Sequence, residues 1–393
     1  MSAPAWIVPL SDVVGDEELM AAAAEAVGSG WWSAGARVAE LEERFAEATG
    51  ARHALAVSSG TAALHVALLA IGAGPGDEVI MPSLTFVAAA NAARHTGAEP
   101  VFCDVLGPHD LNLDPADFEA AITRRTKAIV ALHYGGFPCD LGAVIEIAAR
   151  HEVVVIEDAA HATGATSGGR ACGTIGTFGC FSFFSNKNLP IGEGGMIVTD
   201  DDDLAGRVRL LRSHGMTTLT WDRHRGRASS YDVLLPGLNY RLDEIRAAMA
   251  LVQLSRLPSA NARRAHLADE YVRHLHGTAG LRVSFAERED RDTAAHHLVV
   301  VVLPDGVDRD EVRATLTAAG VQTSVHYPPI HRFSAYAGTC ERPLHRTDAL
   351  ADRLLTLPLY PGLSDELLEL VVESLIDAVV EPVSGSARSR QPR

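Results

Sequence analysis

Short runs of apolar, often β-branched residues recur along the first half of the chain, at 79–81, 100–103, 128–132, 153–156, 181–184 and 196–199. Each is too short for a helix and reads as a buried strand. Between them lie stretches with helical character, and upstream 16–27 is Ala-rich while 38–49 (VAELEERFAEAT) repeats apolar residues at helical spacing. Strand and helix in alternation imply crossover connections, so the pattern predicts an α/β unit with a mainly parallel sheet.

From about Leu254 the pattern changes. A long helical stretch at 243–275 leads out of the first unit, and Pro258 is expected to break or kink it. Strands are expected at 281–285 and 297–303, and helices at 309–319 and 365–380, the last with Asp365 and Glu366 suited to its first turn. These outline a smaller α+β unit. The predicted organisation is a large α/β domain at 12–254, a small C-terminal α+β domain at 255–381, and a disordered tail at 382–393 rich in Ser, Gly, Arg and Pro. No internal repeat is visible.

Composition agrees and narrows the function classes. With 393 residues, 47% of them hydrophobic and 21% charged, the chain can bury a large core. A net charge of −16 argues against a nucleic-acid partner. Any anionic substrate then needs local basic residues, for which Arg241, Arg332 and the segment 221–227 (WDRHRGR) are candidates, although such a segment is also an ordinary solvated surface. Five dispersed cysteines without CxxC spacing fit a reducing cytoplasm rather than a disulfide framework. His296 and His297 are adjacent, and His326 and His331 flank two prolines, so no metal site is expected. No apolar run is long enough to span a bilayer, and the start lacks a signal-peptide pattern. The expectation is a cytoplasmic protein without membrane contact.

Four segments carry candidate chemistry. In 181–195 (FSFFSNKNLPIGEGG), Lys187 sits between a β-type run and a glycine cluster, in mostly uncharged surroundings that would favour the neutral amine a Schiff base requires. For the residue taken in isolation, an exposed helix-end lysine is the favoured reading. In 157–165 (EDAAHATGA), Asp158 follows the apolar run 153–156, where a parallel strand delivers a side chain to a ligand crevice. A carboxylate there can keep a pyridine nitrogen protonated, or simply cap a helix. In 58–68 (SSGTAALHVAL), Ser59, Gly60 and Thr61 stand between a strand and an Ala/Leu-rich helix, a phosphate cradle or an ordinary helix start. In 238–248 (LNYRLDEIRAA), Asn239 taken alone reads as a helix cap.

Collinear over about 31–363, and joined by 76–92 (GDEVIMPSLTFVAAANA), 97–105 (GAEPVFCDV), 133–141 (HYGGFPCDL) and 326–331 (HYPPIH), these segments resemble the DegT/StrS class of pyridoxal-phosphate sugar aminotransferases. The resemblance implies the aspartate aminotransferase-like fold (fold type I) and pyridoxal 5′-phosphate as cofactor. It also implies Lys187 as the Schiff-base lysine and proton shuttle, Asp158 as partner of the pyridine nitrogen, and His161 beside the ring hydroxyl. Phe86 would stack on the ring; Ser59, Gly60, Thr61 and Ser182 would hold the phosphate. Asn239 would reach the phosphate of the other subunit, making a homodimer with shared sites. Tyr327 and His331 would line the sugar side, unless HYPPIH is merely a structural loop. Ser185 and Leu238 depart from the usual Pro and Tyr of the class and bear on the pocket wall. Class members that act as dehydratases carry His where this chain has Lys187, so the lysine argues for transamination. The expected reaction moves an amino group from an amino acid, glutamate by resemblance, to a nucleotide-linked keto sugar. The alternatives are a cyclitol or other keto-carbohydrate acceptor, or a non-catalytic binding or regulatory protein on the same fold.

Overall fold

The computed structural model describes residues 6–13, 15–218, 220–226, 229–288, 294–340 and 342–380; the predicted tail at 382–393 lies outside them. The main sheet begins with β1 (His53–Val57), β2 (Glu78–Pro82), β3 (Glu99–Cys103), β4 (Thr126–Leu132) and β5 (Val154–Asp158). A small hairpin, β6 (Thr166–Ser167) and β7 (Arg170–Ala171), precedes β8 (Phe178–Ser182) and β9 (Gly195–Thr199). The seven-stranded order is β1-β9-β8-β5-β4-β2-β3, parallel from β3 to β8 and antiparallel on both sides of β9.

Both faces of this sheet are buried, which is why its strands read as continuous apolar runs rather than alternating ones. On one face Val79, Met81, Val130, Ile156 and Phe178 pack with the helices Gly60–Ala70, Ala88–Thr96 and Asp202–Leu211. On the other, Ile80, Ile129, Ala131 and Val155 pack with Pro115–Ala121 and Leu141–His151, and Ala54, Ala56 and Val198 with Ala36–Thr49. The run expected at 181–184 begins earlier, at Phe178. Gly179 disguised it: a Cβ there would lie 2.0 Å from the Gly173 carbonyl oxygen, so only glycine fits and the strand loses an apolar marker.

A helix at Glu244–Leu275 continues through Pro258, so the proline does not break it. The missing amide removes one backbone bond, but side chains anchor the helix at both ends. Glu244 accepts from the N–H groups of Gly35, Arg37 and Val38, while Arg264 and Tyr271 donate to the carbonyls of Leu359 and Pro358. Its N-cap is Asp243, which accepts from Arg246 N–H; Asn239 is not a cap but sits in an extended bridge with Ser213.

The C-terminal part carries an antiparallel sheet of β10 (Arg282–Val283), β11 (Val299–Val302) and β12 (Leu354–Leu357), covered by the helices Arg309–Ala318 and Asp365–Val380. Val299 and Val301 face those helices, whereas Val300 and Val302 pack with Tyr134 and Phe137 from the first part of the chain. The strands expected at 281–285 and 297–303 are shorter than the runs. Phe285 adopts a left-handed φ of 65°, and the N–H groups of His297 and Leu298 both go to the Gly135 carbonyl instead of the sheet. β12 is a further strand that the sequence pattern does not predict.

Candidate active site

The carboxyl ends of β5 and β8, the start of the helix Gly60–Ala70 and the loop after β8 converge on one cavity of ≈ 320 Å³. Strand ends in an α/β sheet point at such a crevice because the crossovers diverge there. Asp158, His161, Ser182, Lys187, Phe86, Tyr327 and the segment Ser59, Gly60 and Thr61 all line it.

Lys187 is half-buried, its backbone N–H closing a turn onto the Phe184 carbonyl. Burial pulls its amine down to about 8, although nearby Asp158 acts in the opposite direction. An amine with that pKa has a far larger neutral fraction near physiological pH than an ordinary lysine, and the neutral form is the one that attacks a carbonyl. Asp158, the last residue of β5, is buried and accepts from Ala160 N–H at 3.1 Å. Burial raises its pKa above the usual carboxylate value, with the Ala160 bond and Lys187 working against that rise.

His161 accepts the Gly135 N–H at Nδ1 (3.3 Å), so Nε2 carries the proton and donates to the Tyr327 hydroxyl at 2.9 Å. Burial, then Lys187, holds its pKa well below the ordinary histidine value, and the ring is neutral. Phe86 is 57% exposed despite being a large apolar ring, and its centroid lies 5.9 Å from that of Tyr327. An aromatic so placed at the mouth of a cavity can stack on a flat ligand.

At the other end, Ser59 caps the helix Gly60–Ala70 by accepting from Ala62 N–H at 3.1 Å. Among the described residues no protein acceptor takes the N–H of Gly60 or Thr61. Free amides at a helix start form an anion site. Gly60 is also sterically required: a Cβ would come 2.8 Å from that of Ser182. The cavity thus offers a compact anion cradle, a buried carboxylate, a low-pKa amine and an aromatic face. That donor set fits pyridoxal phosphate, which presents a phosphate, a basic ring nitrogen, an aldehyde and a flat ring.

Four candidates lie elsewhere. Asn239 is exposed and does not line this cavity. Arg241 donates to Ser213 Oγ and lines a separate cavity of ≈ 450 Å³ with Trp221 and Arg225; of the segment 221–227, residue 227 lies outside the described residues. His331 Nδ1 pairs with Ser83 Oγ at 2.7 Å and Nε2 with Asp348 at 3.2 Å. Arg332, the other basic candidate, is paired with Asp348. The structure adds Thr85, Asn186, Glu193 and His326 to the cavity wall, and brings His297 Nε2 to 3.5 Å from Lys187 Nζ. No spacing rule connects histidine to a lysine 110 positions away, and the adjacency of His296 and His297 carries no signal of that contact. Among the described residues no group of three or more His, Cys, Asp or Glu is placed to hold a metal ion, and no helix is long and apolar enough to cross a membrane.

Comparison with known proteins identifies the family. The sequence profile of the DegT/DnrJ/EryC1/StrS aminotransferase family matches residues 14–376. The spore coat polysaccharide biosynthesis protein SpsC of Bacillus subtilis (strain 168) is 41% identical over 375 residues, covering 93% of this chain and 95% of SpsC. The aminotransferase TlmJ from Streptoalloteichus hindustanus superposes with a TM-score of 0.87 at 35% identity, over 96% of this chain and 99% of TlmJ. DesI, solved in the presence of its TDP-sugar product, gives 0.85 at 33% identity, over 96% and 93%. The chain belongs to the DegT/DnrJ/EryC1/StrS aminotransferase family and is a pyridoxal-phosphate-dependent aminotransferase of that fold.

Proposed function

We propose, with membership of this family as the premise, that the enzyme transfers an amino group from an α-amino acid, glutamate first among them, to a keto sugar carried on a nucleotide. SpsC's place in polysaccharide biosynthesis and DesI's TDP-sugar product support that acceptor class. The observation that carries the reading is the shared cavity of Lys187 and Asp158, closed at one end by the anion cradle at Gly60.

Bound there, pyridoxal phosphate supplies an aldehyde that condenses with amines and a protonated ring that withdraws electrons from the carbon losing its proton. Lys187 Nζ would be the attachment point and, when free, the base that takes the proton from the amino donor's carbon and, in the second half-reaction, the acid that delivers one to the carbon of the keto acceptor. Asp158 keeps the ring nitrogen protonated, because a carboxylate beside it favours the charged form. His161 and Phe86 fix the ring's orientation, and Gly60, Thr61, Ser59 and Ser182 hold the phosphate. Tyr327 stands where the sugar enters. Asn239, exposed and outside its own chain's cavity, completes the phosphate site of a second subunit, which makes the working unit a homodimer in the cytoplasm. The cofactor belongs to the unit 12–254, and the unit 255–381 contributes Tyr327.

The chain has two lysines, Lys127 and Lys187. Borohydride reduction after incubation with pyridoxal phosphate should place the cofactor mass on the Lys187 peptide; modification at Lys127 alone would sink the assignment. Glutamate should then convert the bound aldehyde to its amine, and a panel of nucleotide keto sugars should convert it back. Reversal by free keto sugars or keto cyclitols, but by no nucleotide-linked one, would overturn the acceptor class.

A further inference from the structure

Lys187 is bound on one side by the cavity already described and on the other by a buried chain of polar side chains that the reaction scheme does not use. Asn261 Nδ2 donates to the Thr163 carbonyl at 3.0 Å, which leaves its Oδ1 as an acceptor. Asn188 Nδ2 donates to that Oδ1 at 2.8 Å and to the Ala295 carbonyl at 2.7 Å. Both Asn188 donors are therefore used, and its Oδ1 can only accept. Its partner is His297 Nδ1 at 3.0 Å, so the proton of the imidazole sits on Nδ1. Nε2 is left with a lone pair, 3.5 Å from Lys187 Nζ. Two carbonyl oxygens, which cannot donate, thus set the direction of every bond in the chain.

His297 is 3% exposed and Asn188 6%, and burial is the first cause holding the His297 pKa well below the ordinary histidine value. The ring is a neutral acceptor. A carboxylate in its place would attract the ammonium form of Lys187 and hold the amine protonated.

We propose that His297 is a positioning residue for Lys187: locked in its Nδ1–H tautomer by Asn188, it presents Nε2 to the lysine amine and sets where that amine points when it is free of the cofactor. This rests on the reading of Lys187 as the Schiff-base lysine, but not on the acceptor. The other charged and titratable groups near Lys187 are Asp158 at the end of β5, His161 just after it, His326 beside Tyr327, and Glu193 in the glycine loop. On its far side a second cavity joins it to Arg256 and Arg264 of the long helix and to Asp12 and Asp16 near the start of the chain. None of these side chains changes in the variants below.

The test uses full-length, cofactor-free protein and trace acetylation with acetic anhydride, read by peptide mass spectrometry at Lys187 with Lys127 as internal reference. In the wild type, Lys187 should titrate with a midpoint of about 8. His297→Gln keeps a neutral acceptor and should stay near the wild-type midpoint. His297→Glu, matched to Gln in size, should raise the midpoint by about one unit or more, the scale of an opposite charge at contact distance. His297→Leu removes the acceptor and should lower it, because the ammonium loses a hydrogen-bond partner. Equal midpoints in the wild type and a folded Leu variant would overturn the proposal. Should the Leu variant fail to fold, equal midpoints in Gln and Glu overturn it. The borohydride map of Lys187 fails independently of this result, so the two readings are separable.

Discussion

Glu157 and Asp158 are neighbours at the end of β5, yet they leave the strand on opposite faces and into opposite environments. Glu157 is fully buried and fully engaged: Oε2 accepts from His133 Nε2 at 3.0 Å and Gly173 N–H at 2.6 Å, and Oε1 from Ile175 and Gly176 N–H at 2.7 and 2.6 Å. His133 Nδ1 accepts in turn from Cys139 N–H, so every polar group there has a partner. Although burial opposes it, this set of donors holds the Glu157 pKa below the usual value. Asp158 has one backbone donor and faces a cavity, and its pKa is raised. The same chemical group is a structural anchor where the protein satisfies it and a candidate catalytic group where the protein leaves it in need of a partner.

That contrast can be broken by substitution, beginning with the largest effect. Lys187→Ala should lower amino transfer by on the order of 10⁴-fold or more, since both the attachment point and the proton shuttle are lost; single-turnover kinetics with glutamate would measure it. Asp158→Asn should lower the same rate by roughly 10²- to 10³-fold, the scale of removing one preorganised electrostatic group. In cofactor-free protein its effect on stability should be neutral or favourable, read by urea denaturation. The sign follows from a raised folded-state pKa: a carboxylate that is harder to ionise when folded costs stability once pH exceeds its unfolded pKa.

Glu157→Gln tests the other half of the comparison and should cost about 3 kcal/mol or more, because four donors lose an anionic acceptor in a buried site. Here the pKa is lowered on folding, so the stability it contributes is present above the unfolded carboxylate pKa and is lost as pH falls through the folded one. Denaturation midpoints of wild type and variant should therefore converge in acid; curves that stay parallel would break the comparison. Phe86→Ala should give the smallest effect, weakening cofactor affinity by about 0.5–1.5 kcal/mol, the worth of an aromatic contact. Its melting temperature should hardly move, since the ring is largely exposed in the cofactor-free protein.

Asp158 was legible in the sequence and the role of Glu157 was not, for a local reason. A β-branched run followed by an acid marks a strand end, and a strand end in an α/β sheet marks a crevice. Nothing nearby announces that the amides of Gly173, Ile175 and Gly176 return to close around the preceding residue. The same limit explains β8, whose start was hidden by Gly179 at a close backbone approach, and Pro258, whose cost to the helix is offset by anchors more than a hundred residues away in sequence at Leu359.

By itself the sequence determined the alternation of elements and the mainly parallel sheet, because these are written in periods and strand ends; the set of Ser59 to Thr61, Asp158, Ser182 and Lys187 followed from the resemblance to a known family and not from any one local signal. Only the tertiary structure decided which of two adjacent carboxylates faces the cavity, that Arg241 and His331 lie outside its lining, and that His297 meets Lys187. Those outcomes depend on where distant backbone donors and side chains come to rest, and pairing of buried polar groups is a property of the packed chain rather than of any local segment.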